Sequence, residues 1–261
     1  MRIGKQDAPF SAICTSDAES ITVRGRDLCG EVIGRVDFTS YFWLLVTGTA
    51  PSDDQRFMAD AVLTAIAEHG LVPSVVAARM TYAAAPEAFQ GAVAAGLLGC
   101  GTVVLGSAEV AGRFLDQCLG DAGDGDLAAA AARGIRALRA GRKAIPGFGH
   151  PQHSGGDPRA LKLLGLAEER GIAGQYVAML YAIRDELPAT LGRALPINVN
   201  GAIPAVMLDA GFPLAALKGV SLLARTASLI AHLQEESERP IGFILSGKAA
   251  EAIAYDGETA D

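Results

Sequence analysis

Apolar residues recur at helical spacing along most of the chain, while short extended stretches are confined to its first 25 residues. SAICT and SITVRG read as strands flanking a polar, turn-like SDAES. In VDFTSYFWLLVTGTAPSDD the apolar run breaks at Gly48, and Pro51 with Ser52 to Asp54 can start a helix. From Asp54 to Glu68, Phe57, Ala61, Ala65 and Ile66 fall on one helical face, and His69-Gly70 ends the segment. Pro73–Ala85 and Pro86–Cys100 read as two further helices. The second is rich in Ala and Gly and suits close helix packing, within the chain or between subunits. After the acidic loop DAGDGD comes a helix over Leu127–Arg142. Asp157 is a plausible N-cap, with Pro158 at the first position of a helix to about Arg170. Gln175–Leu187 reads as a helix stopped by Pro188. LPINVNG breaks the pattern before PAVMLDAG, and Pro213 opens a long helix. The tail after Leu245 is expected to fray. Roughly ten helices and little strand predict an all-α protein.

Composition sharpens this picture. The 261 residues are 50% hydrophobic and 20% charged, a globular balance with enough chain for one large domain or two unequal ones. A net charge of -7 argues against nucleic acid or an anionic membrane as partner. An anionic ligand would therefore need a local cluster of arginines. The sequence has no secretory h-region at MRIGKQDAPFSAIC and no long uncharged apolar run, so a cytoplasmic location is expected. Cys14, Cys29, Cys100 and Cys118 lack ligand spacing, which predicts reduced thiols and no metal.

Candidate chemistry gathers in GFGHPQHSGGDPRA, residues 147–160, where His150 and His153 sit on glycine-rich backbone just before a helix start. His69 lies at another helix-to-loop boundary. Lys218, Arg225 and His232 are seven apart and share a helix face that points to solvent or to a ligand. Arg159, Arg225 and Arg239 are candidate anion ligands, because a guanidinium fork matches a carboxylate. Taken singly, a histidine of this kind is more often structural, and an arginine more often part of a surface ion pair.

In their order, five motifs resemble the citrate synthase superfamily over about residues 20–243. These are VRGRDLCGEVIGRVDFTSYFWLLVTGTAPSDDQ, AEHGLVPSVVAARM, IPGFGHPQHSGGDPRA, INVNG and LLARTASLIAHLQEESERPIG. The chain looks most like the citryl-CoA lyases and the citryl-CoA-cleaving module of ATP-citrate lyase. It is shorter than a full synthase, and GTVVLGSAEV replaces the synthases' HGG, with Leu105 at or near the histidine's place. The resemblance implies an all-α fold, with a large helical domain of 1–106 and 212–261 and a small domain of 107–211 closing on the site. It implies catalytic roles for His69, His150 and Asn200, and carboxylate binding by Arg159, Arg225 and Arg239, the last donated across a homodimer. Ile145, Pro146, Gly147, Phe148, Gly149 and Arg193 would bind coenzyme A. No cofactor is held permanently. The CoA thioester is a substrate, and the partners are small acyl-CoA and di- or tricarboxylate molecules.

Two positions depart from the family pattern. Asn200 replaces the aspartate that acts as acid or base, and an amide does not titrate in the useful range. Pro151 replaces an arginine, a loss that His153 or Arg193 could partly offset. Three readings follow: a C–C lyase or acyltransferase on a CoA thioester, a catalytically impaired paralogue that binds acyl-CoA or carboxylates as a sensor or partner subunit, and a helical scaffold.

Overall fold

The computed structural model describes residues 10–103, 105–123, 125–149 and 156–257. The chain opens on a three-stranded antiparallel sheet, β1 (Cys14–Ser16), β2 (Ile21–Val23) and β3 (Arg26–Asp27), paired in sequence order. Asp17 shapes the first turn by accepting from the Glu19 and Ser20 N–H groups at 2.9 and 2.8 Å. The second turn is Arg24-Gly25, both at positive φ, the geometry that tight hairpins favour. A five-residue π-helical turn, Leu28–Val32, leads out of the sheet.

Eleven α-helices follow among the described residues. Four come first: α1 (Phe38–Thr47), α2 (Asp53–Ala67), α3 (Pro73–Ala84) and α4 (Phe89–Leu98). Next are α5 (Ser107–Ala122), α6 (Leu127–Ala140), α7 (Pro158–Glu169), α8 (Gln175–Leu191) and α9 (Val199–Asp209). The last two are α10 (Leu217–Glu238), entered through a 3-10 turn at Leu214–Ala216, and α11 (Gly242–Ala252). Local chemistry sets the starts. Asp37, Asp126 and Asp157 cap α1, α6 and α7, and Ser52 with Gln55 forms a capping box on α2.

Helix α9 is the axis of one group, packing against α5, α7 and α8, and its residues Gly201–Leu208 are all buried. Helix α10 is the axis of the other, packing against α2, α3 and α4, while α11 lies on α3. The groups meet where α2 touches α7 and α9, and where α5 touches α10. One hydrophobic cluster runs through both, from Trp43, Met58 and Phe212 to Leu163, Ile183 and Ile203. Gly96 accounts for part of the Ala/Gly content of α4: a Cβ there would lie 2.7 Å from Leu229 and 2.8 Å from the Ser74 carbonyl, so α4 packs tightly within the chain.

Three boundaries differ from the sequence expectation. Helix α8 runs through Pro188 to Leu191: the full burial of Leu187 holds this last turn in place despite the N–H that proline lacks. Helix α9 begins at Val199, not beyond the NVNG break, because the Asn198 side chain caps it by accepting from Asn200 and Gly201 at 3.0 and 3.2 Å. The tail does not fray at Leu245. Glu236 accepts from the Ile241 and Gly242 N–H groups at 2.9 and 2.7 Å, and this fixes the start of α11. By length and composition alone, residues Leu214–Glu238 are apolar enough to cross a membrane, yet the helix buries Arg225 and Glu236 against its neighbours.

Candidate functional site

The GFG and PIN segments pair as a short antiparallel ribbon. Gly149 N–H donates to the Pro196 carbonyl at 2.8 Å, Asn198 N–H donates to the Gly147 carbonyl at 3.0 Å, and Phe148 bridges Ile197. The Asn198 amide also donates to the Gly149 carbonyl at 2.7 Å. Gly147, at φ 85°, and Gly201 come so close that a Cβ on Gly201 would lie 2.6 Å from the Gly147 carbonyl oxygen. Glycine at both positions lets the loop sit on the first turn of α9.

Asp157 locks the next helix to the same place. Its side chain is fully buried, caps α7 at the Arg159 N–H and accepts from the Val199 N–H at 3.0 Å. Both its oxygens are gripped by Arg159, through Nε at 3.0 Å and Nη2 at 2.9 Å. Burial alone would raise its pKa, but the Arg159 and Val199 hydrogen bonds hold it below the ordinary value.

These contacts build a cleft of about 520 Å³. His69, Asn198, Asn200, Arg225 and the Ala144–Gly149 backbone line it, together with Thr102, Leu105 and Ser107. Val72 and Pro73, where α3 starts, and Ser107, where α5 starts, face it too, and neither helix has a side-chain cap. Together with α9, three helix N-termini present their positive ends to one cavity. No Asp or Glu is among its described lining residues.

Arg225 dominates the electrostatics. It is 3% exposed, its Nη1 reaches only Ser228 Oγ at 3.4 Å, and its Nε is buried with no hydrogen-bond partner. Burial lowers its pKa, and the nearby Glu68 carboxylate opposes that. Glu68 is engaged elsewhere: it accepts from Ser228 Oγ and pairs with His232 Nε2 at 3.0 Å. Burial would raise the Glu68 pKa, but these bonds and that to the Gly70 N–H lower it. Arg79 continues the network to Glu236 at 2.6 Å, Glu235 at 2.7 Å and the Arg239 carbonyl at 3.1 Å.

The sequence candidates therefore divide. His69, Asn200, Arg225 and Ile145 to Gly149 come together in the cleft. Arg159 does not line it; paired with Asp157, it borders a separate groove between α2 and α7 with Ala61 and Lys162. Arg239 ends α10 with an exposed side chain, also outside the cleft lining. Of the stripe Lys218, Arg225 and His232, only Arg225 lines the cleft, while His232 belongs to the Glu68–Arg79 network. His150, Pro151 and His153 lie outside the described residues. Arg193 lines an adjoining pocket of about 560 Å³, beside Ile145, Phe148 and Gly149. Arg139 and Arg142, which the sequence did not single out, line the same pocket; all three are exposed, and no carboxylate is among its described lining residues. Ser107 and Asn198 were also missed. Serine and asparagine at helix starts read as ordinary capping residues, so nothing local marks them. No group of three or more potential metal ligands occurs among the described residues.

A predominantly helical chain in two helix groups, with a cleft whose described lining holds a buried arginine and no carboxylate, sets the class of fold. The citrate synthase C-terminal domain family matches residues 34–242, and the chain belongs to that family. It superposes on citryl-CoA lyase from Hydrogenobacter thermophilus with a TM-score of 0.85 and 26% identity, covering 100% of this chain and 97% of that one. ATP citrate lyase from Methanothrix soehngenii, solved with citrate and coenzyme A, matches at TM-score 0.79 and 21% identity, over 98% of this chain and 43% of that one. Citrate synthase from Thermoplasma acidophilum, solved with carboxymethyl coenzyme A and oxaloacetate, matches at 0.65 and 20%, over 78% and 54%. No curated protein sequence matches the chain.

Proposed function

We propose that this chain cleaves or forms a C–C bond between a CoA thioester and a 2-oxo acid, as in citryl-CoA to acetyl-CoA plus oxaloacetate. The observation that carries the reading is Arg225: a buried guanidinium with an unpartnered Nε in a cleft with no carboxylate among its described lining residues. Such a group is poorly satisfied until an anion arrives. Arg225 would bind a substrate carboxylate, and Arg139, Arg142 and Arg193 would hold the phosphates of coenzyme A beside the Ile145–Gly149 backbone. Arg159 and Arg239 would join the carboxylate site when residues 107–211 close on the rest of the chain, with Arg239 coming from the partner of a homodimer. Closure excludes water and strengthens every charge interaction in the site.

Asn200 can orient the substrate through its amide but cannot carry the proton. His69, on the same cleft, is the candidate carrier. In cleavage it takes the tertiary hydroxyl proton; the C–C electron pair passes into the thioester as its enolate, and the 2-oxo acid is released. The same proton then returns to the enolate carbon, so the step balances.

Asn200 also favours a second reading, a catalytically impaired paralogue that binds acyl-CoA or carboxylates as a sensor or partner subunit. Synthetic citryl-CoA separates the two. Release of acetyl-CoA and oxaloacetate supports the enzyme, whereas tight thioester binding without turnover supports the sensor.

A further inference from the structure

Ser107 is the first residue of α5, a 16-residue helix whose N-cap is Gly106 and which has no side-chain cap. Its Oγ is buried and has no hydrogen-bond partner. An unmet buried hydroxyl destabilises a fold, so it needs a reason to persist. This one lines the same cleft as Arg225, whose Nε is likewise buried and unpartnered. Two residues on different helices that line one cavity thus each carry a buried polar atom without a partner.

The surroundings of Ser107 specify the kind of oxygen it would meet. A Cβ on Gly147 would lie 3.5 Å from Ala111 Cβ and 2.7 Å from Gly201 Cα, so the first turns of α5 and α9 close on the GFG loop together. Ala111 is one helical turn beyond Ser107, and Asn200 directly precedes Gly201, so Ser107 and Asn200 sit on neighbouring helix starts. The wall around Ser107 is apolar: Val103, Leu105 and Val110 line it. Thr102, the other hydroxyl on this wall, is exposed and competes with water. A neutral hydroxyl on a helix N-terminus in an apolar wall suits an oxygen that is uncharged in the ground state and gains charge during reaction. A preformed carboxylate is better served by Arg225.

We propose that Ser107 is a catalytic residue that donates a hydrogen bond to the thioester carbonyl oxygen of the CoA substrate. The assignment rests on the function proposed above. Ser107 keeps its proton throughout. The negative charge it stabilises arises as the C–C electron pair moves into the thioester, and it disappears when the α carbon is protonated. Because the donor is in place before charge develops, it acts mainly on the transition state.

The test compares the full-length wild type with Ser107→Ala and Ser107→Thr. Citryl-CoA turnover in Ser107→Ala should fall about 10²-fold in kcat with little change in KM, and Ser107→Thr should restore most of it. Thermal unfolding of Ser107→Ala should be unchanged or higher, since no hydrogen bond is lost. The infrared carbonyl stretch of bound acetyl-CoA, labelled with 13C at the carbonyl, should lie at lower frequency in wild type than in Ser107→Ala. Identical stretches in the two proteins, or an undiminished kcat, overturn the assignment while leaving the proposed function intact. If wild type binds no acetyl-CoA, the bound-thioester band is missing altogether, and both the underlying function and this assignment fall.

Discussion

The buried carboxylate of Asp157 joins the start of α7 to the start of α9 by accepting the Val199 N–H at 3.0 Å. One side chain thereby ties Arg159 to the helix start that carries Asn200. Replacing it by alanine removes a helix cap, worth about 1 kcal/mol, and strands a buried N–H at a further cost of about 1–3 kcal/mol. Asp157→Ala should lose about 2–4 kcal/mol in denaturant unfolding, the sum of those two effects.

The same residue predicts a pH dependence. Its folded pKa is depressed, so its contribution is fully present above the unfolded value, about 3.9, and is lost as pH falls through the lower folded value. Melting curves of Asp157→Asn should therefore show a shallower acid limb below about pH 4 than wild type. Parallel acid limbs would contradict it.

The Gly147–Gly201 contact leaves no room for a methyl group. Gly201→Ala should cost about 1–3 kcal/mol and displace the GFG loop from α9. Calorimetry should then record weaker CoA-thioester binding, whereas a Gly99→Ala control, with only one distant neighbour at 3.9 Å, should behave as wild type.

Arg225→Met should separate binding from stability. The guanidinium is buried and incompletely paired, so its removal should leave the melting temperature unchanged or raise it. Citrate affinity by calorimetry should drop about 10- to 100-fold, the equivalent of one charge-assisted hydrogen-bonded contact.

Restoring a carboxylate should restore ordinary acid–base chemistry. Asn200→Asp places an anion in the first turn of α9, where the helix tolerates it. Citryl-CoA turnover should rise by up to about 10²-fold, because the carboxylate adds an acid–base group to the cleft that His69 lines.

Much of the molecule was legible in the chain itself. The helix starts at Ser52 and Asp157 and the 3.6-residue apolar spacing marked the helices, because both act within a few residues. The ordered motifs around His69, Gly147, Asn200 and Arg225 marked the family for the same reason: each is a contiguous string. Pro188 and Leu245 misled, because burial of Leu187 and the reach of Glu236 to Gly242 are tertiary facts that override local propensity. Only the folded chain decided that Arg225 lines the cleft while Arg159 turns to Asp157, and that Arg139 and Arg142 stand beside Arg193. It likewise left the Ser107 hydroxyl buried and without a hydrogen-bond partner. Burial and missing partners depend on groups distant in sequence, and no local pattern encodes them.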